Sequence, residues 1–459
     1  MVNPEDDNMK SLLEKIQYEI LDLETKTGAL DLKLNNVKIW QALRTPIYYD
    51  IAKRAGIFNT IHTVKNSFSE RAAALPSFLY SSLFFNPLFS RKKRDVLVFD
   101  HSRKVPENGR YIDIHTQYMI ERFDNENVNY EVFEEQYLNR HFTSKTSRRK
   151  HMDFIQICAN IYAHFRKTSF SEIETSRIRE IESEILARLN IEMDLVSLFR
   201  FEVSRFKAYC YFYRKIIERR KPRTVYLLVG YGHPYLIKAA KDLHVETIEI
   251  QHGTISEFHL GYYYPHVSKG SLEYFPDKIY LWDDFWKYMC TFPIEEENII
   301  IAGFEHLDRL SSGYHDVNKK KLQIAVISQG SVGPQIAEMI LRNIEELKDC
   351  TIIYKLHPGE YDRWREYDSL RELQRYPNVE IVDNNRKPLY RILAESQYVV
   401  GVYSTAIFES LRFGCRIILL NIAGIEYMYK FAEVRKIPIL DKTDSICAHL
   451  DSSFLTSMS

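Results

Sequence analysis

From residue 220 onward, short apolar runs alternate with amphipathic stretches, and most runs close on glycine, proline, histidine or hydroxyl residues. The spacing predicts strands at 224–229, 246–250, 278–282 and 298–302, with helices at 234–242 and 284–288. A charged stretch at 311–321 reads as an interdomain linker. Beyond it the alternation resumes, with strands at 322–328, 351–356, 379–382, 398–402 and 416–421 and helices at 334–347, 388–395 and 405–413. Strands that alternate with helices predict parallel sheets.

Earlier in the chain, 95–100 is a first strand closed by Asp100-His101-Ser102-Arg103. Residues 148–220 are helical in spacing, charged, aromatic and free of glycine, which predicts a helical insertion. Leucine and isoleucine at helical spacing over 8–35, and a second mainly helical stretch over 37–58, form a leader expected to be an accessory element. The expected organisation is therefore a helical leader at 1–94, a first Rossmann-like domain at 95–310 carrying the insertion 148–220, and a second at 322–459. A chain of 459 residues exceeds what one core supports, which agrees with two domains.

Composition narrows the function classes. Sixty-two basic residues balance sixty-two acidic ones, so no global field recruits nucleic acid, and an anionic ligand must meet a local patch. The six cysteines are scattered singly, which fits free thiols rather than a zinc site. The acidic start at residues 1–7 lacks the order of a signal peptide, and no stretch has the length to span a bilayer, so a cytoplasmic protein is expected. One segment qualifies this. Residues 75–90 are rich in leucine and aromatics and run into Arg91-Lys92-Lys93-Arg94, a pairing that suits the inner face of an anionic membrane. A connector packed on the core with a solvated basic end has the same pattern.

The candidate chemistry stands at strand ends. Ligands of open α/β sheets bind beyond the carboxyl ends of the strands. In the second half, Ser328-Gln329-Gly330-Ser331-Val332-Gly333 leaves backbone N–H groups free for a phosphate before Pro334 opens a helix. His357 and Pro358 close the next strand, where an imidazolium can offset charge on a departing nucleotide. Ser404 and Thr405 begin a helix, as a cap, an anion site or both, and Glu409 lies one turn on, placed to hold ribose hydroxyls. In the first half, Gln251-His252-Gly253 follows a strand, and His252 can take a proton from an attacking hydroxyl. His101, Arg103, Arg110 and Asp113 occupy the acceptor-side loop, with Asp113 a rival base, and Gln251 is expected on the acceptor side with them. The loop Gly230-Tyr231-Gly232-His233-Pro234 either lines the cleft or is a turn. Asp283-Asp284 fits a helix cap as readily as a metal ligand, and with no clustered ligands no essential metal is expected.

At these residues the chain resembles bacterial glycosyltransferases of the GT-B fold that build capsule and lipopolysaccharide, over roughly residues 220–430. The resemblance implies two doubly wound domains facing a central cleft. In sialyl-, polysialyl- and Kdo-transferases of this kind a His-Pro pair and a later Ser/Thr pair bind the donor phosphate, which His357-Pro358 and Ser404-Thr405 match. His252-Gly253 is similar to the His-Gly that supplies the proposed base in polyglycerol-phosphate transferases, and Glu409 resembles the ribose-binding glutamate of UDP-sugar enzymes. The acidic pair before glycine that supplies the base in many sialyltransferases is absent, and Gln251-His252-Gly253 stands in its place.

The activity implied is inverting, metal-independent transfer of a sugar from a nucleotide sugar, favoured as a CMP-activated acid sugar, to a surface polysaccharide or a lipid-linked acceptor. Transfer of glycerol or ribitol phosphate from a CDP-polyol, transfer from a UDP-sugar, and a non-catalytic scaffold of a capsule or lipopolysaccharide assembly complex are the alternatives.

Overall fold

The computed structural model describes residues 11–57, 68–107, 109–137, 139–384 and 386–450. The acidic start at 1–7, the opening of the helix expected from residue 8, and the last nine positions of the expected second domain lie outside the described residues.

Two large parallel sheets dominate. The first has seven strands, in spatial order Ile299–Ile301, Lys278–Leu281, Glu246–Ile250, Thr224–Leu227, Val96–Phe99, Tyr130–Glu134 and Arg149–His151. The second has six, in the order Val379–Val382, Thr351–Lys355, Lys320–Ile327, Ser396–Gly401, Arg416–Leu420 and Ile439–Leu440. Both follow the doubly wound order, in which the first strand by chain position lies beside the fourth. The two-domain α/β architecture expected for a GT-B chain is therefore the one observed. In each sheet the direction of winding reverses at the gap between the first and fourth strands. That gap is where a ligand crevice opens.

Some elements differ from expectation, and charge explains most of the differences. Tyr130–Glu134 is fully buried, yet Glu131 and Glu134 break its apolar run. Arg220 reaches Glu131 with both side chains at 0% exposure, and Arg149 Nη1 lies 2.8 Å from Glu134 Oε2. The insertion opens not on a helix but on the basic edge strand Arg149–His151, followed by helices Asp153–Phe165, Glu172–Leu189 and Leu195–Arg220. The expected linker shortens to 313–319, since the helix Glu305–Ser312 runs into it from one side and the strand starting at Lys320 from the other.

The leader is no accessory. The helix Leu12–Thr27 is capped by Ser11 and Glu14 in a capping box, and its buried leucines and isoleucines pack with the helix Ile39–Arg54. Their shared core takes in Phe199 and Val203 of the insertion, Phe258 and Leu260 of the first domain, and Tyr427 of the second. The two domains also meet directly, with Trp286 against Phe408 at 4.5 Å and Phe285 against Phe431 at 5.4 Å.

The helix Phe68–Phe84 packs on Asp153–Phe165. Each turns a stripe at i, i+4, i+8 spacing to solvent: Leu75, Leu79 and Leu83 on one, Ile157, Ile161 and Phe165 on the other. Phe84 and Phe89 are 67% and 68% exposed, and Arg91, Lys92 and Lys93 follow in full solvent. No helix among the described residues is long and apolar enough to cross a membrane.

Candidate functional site

In the second domain, the loops leaving the two strands that flank the winding reversal carry Gly330 and Ser331 on one side and Ser404 and Thr405 on the other. Tyr403 ties them together, its hydroxyl bonded to Ser331 Oγ. Ser404 caps the helix Thr405–Ser410, its hydroxyl accepting from the Ala406 N–H at 3.4 Å. Glu409 is pushed above the usual carboxylate range by burial, against the hydrogen bonds it receives from Tyr390 and Thr405. It thus faces back toward the start of its own helix.

His357 is set by its own turn. Nδ1 accepts the Gly359 N–H at 3.1 Å, and the His357 N–H donates to Glu360 Oε2 at 2.8 Å. The other Glu360 oxygen accepts from Ser328 Oγ at 3.0 Å, stitching this loop to the neighbouring one. Gly330 lies under the ring, where a Cβ would come within 3.3 Å of Nδ1. With Nδ1 already accepting, the neutral ring carries its proton on Nε2. Burial first, then the charges of Arg103 and Arg363, depress the His357 pKa to about 4. The expected imidazolium is therefore a neutral donor in the unliganded chain.

Arg103 links the halves of the site. It stands in the first-domain loop expected on the acceptor side, yet its charge acts on His357 and Tyr361 of the second domain. Two residues earlier, His101 stacks on His252 with centroids 6.2 Å apart. His252 lies between two phenols: Tyr262 Oη is 3.4 Å from Nδ1 and Tyr231 Oη 3.5 Å from Nε2. Burial, reinforced by His115, His101 and His259, holds its pKa well below the ordinary value, so it is a neutral ring able to accept a proton.

Other expected residues serve the scaffold. Asp113 Oδ2 accepts from the His101 N–H at 2.8 Å and Thr116 Oγ1 at 2.9 Å, and Oδ1 from the His115 N–H at 3.0 Å. Burial raises its pKa, but His115, Lys104 and these backbone bonds outweigh it and hold the carboxyl low. Asp113 clasps the loop through both of its oxygens. Gln251, fully buried, donates to the Gly253 carbonyl at 2.9 Å and accepts the Trp282 N–H at 2.9 Å, joining two strand ends rather than facing an acceptor. Arg110 is exposed on the small hairpin Val105–Glu107/Arg110–Ile112.

Tyr231, from the loop 230–234 expected either to line the cleft or to turn, completes the His252 surroundings together with Tyr262 and Glu249, which were not foreseen. Tyr262 arrives from a long irregular loop without periodicity. Glu249 carries the one legible signal, a carboxylate inside a strand whose neighbours are Ile248 and Ile250. Beside the His101–His115 pair opens a cavity of about 250 Å³ lined by His115, Tyr118, Arg122, Tyr280, Trp282 and Phe304. Trp282 and Phe304 stack at 4.6 Å, and His115 lies parallel to Trp282 at 6.1 Å.

His141, His151 and Asp153 bring metal-type donor atoms within 4.8 Å of one another. Both His141 nitrogens already face carboxylates, Glu134 at 3.1 Å and Asp153 at 2.9 Å. Burial opposes the charge, but these partners prevail and raise its pKa to about 9. Both nitrogens of that ring are thus engaged by carboxylates.

Burial depresses His115, His151, His259, His306 and His357 from 6.5 to about 4. Between those values the unfolded chain binds protons that the folded chain refuses, so stability is present above 6.5 and is lost as pH falls toward 4. His141, shifted upward, works oppositely between 6.5 and about 9. Denaturation midpoints measured at pH 7 and pH 5 are expected to be clearly lower at pH 5. Equal midpoints would contradict the burial of these rings.

The strand orders define a two-domain α/β protein with a winding reversal in each sheet. No protein-family model matches the chain, and no curated protein matches its sequence. Among solved structures, it is similar to a UDP-GlcNAc 2-epimerase from Methanocaldococcus jannaschii, at 10% identity and a TM-score of 0.45 over 76% of this chain and 89% of that one. It is similar also to MurG from Acinetobacter baumannii, at 10% identity and 0.44 over 79% and 90%. The glycosyltransferase of kitacinnamycin gives 12% and 0.43 over 78% and 89%.

Proposed function

We propose that the chain is an inverting glycosyltransferase, taking a sugar from a nucleotide sugar and passing it to a hydroxyl without a metal. The observation that carries this reading is the pairing of a neutral, proton-bearing His357 one strand from the second domain's winding reversal with a neutral His252 one strand from the first domain's. The donor diphosphate or monophosphate would lie over Gly330, Ser331, Ser404 and Thr405, with His357 Nε2–H and Arg103 meeting its charge. Glu409 would hold the ribose. Arg103 and Arg363 together fit a donor that carries a carboxylate as well as a phosphate, which supports an acid sugar activated by CMP. The aromatic cavity beside His115 suits the apolar face of an acceptor sugar, with Arg122 at hand for its hydroxyls. Incubating the protein with CMP-sugars, UDP-sugars and CDP-glycerol, and following the nucleotide released, tests the reading. Release of CMP from CDP-glycerol alone would replace it with polyol-phosphate transfer, and inertness toward every donor would favour a scaffold.

A lipid-linked acceptor would bring the chain to an anionic membrane surface. The exposed stripes on Phe68–Phe84 and Asp153–Phe165, beside Arg91-Lys92-Lys93, support this, since each cation near such a surface contributes about 1 kcal/mol. The protein is expected to sediment with phosphatidylglycerol vesicles and much less with phosphatidylcholine ones. Replacing Leu83, Phe84 and Phe89 by serine should abolish the sedimentation, and binding that survives this change would rule the surface out.

A further inference from the structure

Inside the first sheet, the strand Glu246–Ile250 places Glu249 at 1% exposure, and among the described residues its hydrogen-bond partners are Tyr262 and Gly230 rather than a cation. Its Oε1 accepts the Tyr262 hydroxyl at 2.6 Å and the Gly230 N–H at 2.9 Å. Gly230 is required at that point, because any Cβ there would collide with the carboxylate. A buried carboxylate without an ion-pair partner is costly, and is retained where its charge has a task.

Hydrogen-bond direction defines the task. The short contact between Tyr262 and Glu249 commits the phenol proton to the carboxylate, leaving only lone pairs on Tyr262 Oη for its second neighbour, His252 Nδ1 at 3.4 Å. The imidazole must then carry its proton on Nδ1. Its Nε2 is left unprotonated, accepting from the Tyr231 hydroxyl at 3.5 Å until an acceptor hydroxyl takes that place.

We propose that Glu249, acting through Tyr262, is the positioning residue that fixes His252 in the tautomer whose Nε2 accepts the proton of the attacking hydroxyl. This rests on the reading of His252 as base. In the step, the acceptor oxygen forms its bond to the anomeric carbon as its proton passes to Nε2. The bond from that carbon to the nucleotide phosphate oxygen breaks, and its electron pair leaves with the nucleotide. The imidazolium then donates Nδ1–H toward Tyr262, and the Glu249 carboxylate offsets its charge along the same line.

Burial raises the Glu249 pKa to about 7 against the hydrogen bonds from Tyr262 and Gly230. Protonation of Glu249 removes the acceptor that orients the relay, so turnover should climb with pH through about 7. The other titratable groups facing this relay are His101, His115 and His259 around His252, Tyr231 and Tyr264 near Glu249, and Cys290 near Tyr262. The three histidines carry no charge that could mimic this limb only if each is neutral at pH 7, which the nitrogen-15 spectrum below reads directly.

The test uses the full chain labelled with nitrogen-15 histidine, read by NMR beside steady-state kinetics. Wild type is expected to show His252 with a protonated Nδ1 and a bare Nε2. In Glu249→Gln the amide donates to Tyr262, the phenol donates to Nδ1, and the proton moves to Nε2. Turnover should then fall roughly 10²-fold with KM unchanged, and the limb near pH 7 should vanish. Tyr262→Phe is a second variant that breaks the same line without touching the buried carboxylate, and the same loss of turnover is expected. A Glu249→Gln protein with the wild-type tautomer and wild-type turnover would overturn the proposal. Wild-type activity in His252→Ala would instead dismiss His252 as the base, while the tautomer measurement would still report on the relay.

Discussion

Replacing His357 with alanine is expected to reduce kcat/KM by about 10²- to 10³-fold, the usual cost of deleting one donor aimed at developing charge. The ring's Nδ1 is taken by the Gly359 N–H, so the whole of its capacity toward a ligand is the Nε2 proton. Nothing else in that loop replaces it: Pro358 has no N–H, and the Glu360 oxygens are engaged by Ser328 and the His357 backbone. The folded state loses little, because the ring contributes only a cap to the short turn Pro358–Glu360, worth about 1 kcal/mol. The expected pattern is thus a large fall in turnover with a nearly unchanged denaturation midpoint. His357→Gln, which keeps an N–H donor, should recover part of the loss. Activity within a few-fold of wild type in the alanine variant would remove His357 from the donor site.

The second large effect is expected far from the crevice. Glu24→Gln should cost about 3–5 kcal/mol, because it leaves Arg44 charged and buried without its partner. The pair is bidentate at 2.6 and 2.8 Å, with side chains 1% and 4% exposed, and Trp40 Nε1 donates to the same carboxylate at 2.7 Å. Arg44 also donates to the Leu260 and Tyr263 carbonyls and lies over the Tyr264 ring at 4.1 Å. The leader thereby grips the segment that brings Tyr262 to His252. Urea unfolding monitored by tryptophan fluorescence should show the loss, and activity should fall with it. The double replacement Glu24→Leu with Arg44→Met, which removes both charges, should be more stable than Glu24→Gln alone. A Glu24→Gln protein as stable as wild type would show that the pair does not bear on folding.

The doubly wound halves were legible because their strands are apolar runs of ordinary length, and each candidate loop followed directly from where such a run stopped. That is why Gly330, Ser331, His357, Ser404 and Thr405 stand at neighbouring strand ends of the second sheet, with Gly330 beside the His357 ring and Ser331 bonded to Tyr403. The strand Tyr130–Glu134 escaped because its charges are neutralised by Arg220 and Arg149, partners distant in sequence and invisible to periodicity. Asp113 and Gln251 have the residue types of a base and an acceptor contact, but their hydrogen bonds are consumed by backbone groups, and only coordinates reveal that. Tyr262 was hidden for the opposite reason. It reaches His252 from an irregular loop whose course is set by packing against the leader, through Arg44 and the Leu260 and Tyr263 carbonyls.

The leader's core includes side chains from both halves of the molecule, Phe258 and Leu260 on one side and Tyr427 on the other. It therefore behaves as a keystone set into an arch. A Rossmann unit exchanged for one from another chain would replace only one side of that arch. The new half would have to satisfy the keystone as well as its partner, so a core change in either half of this chain is constrained by the other.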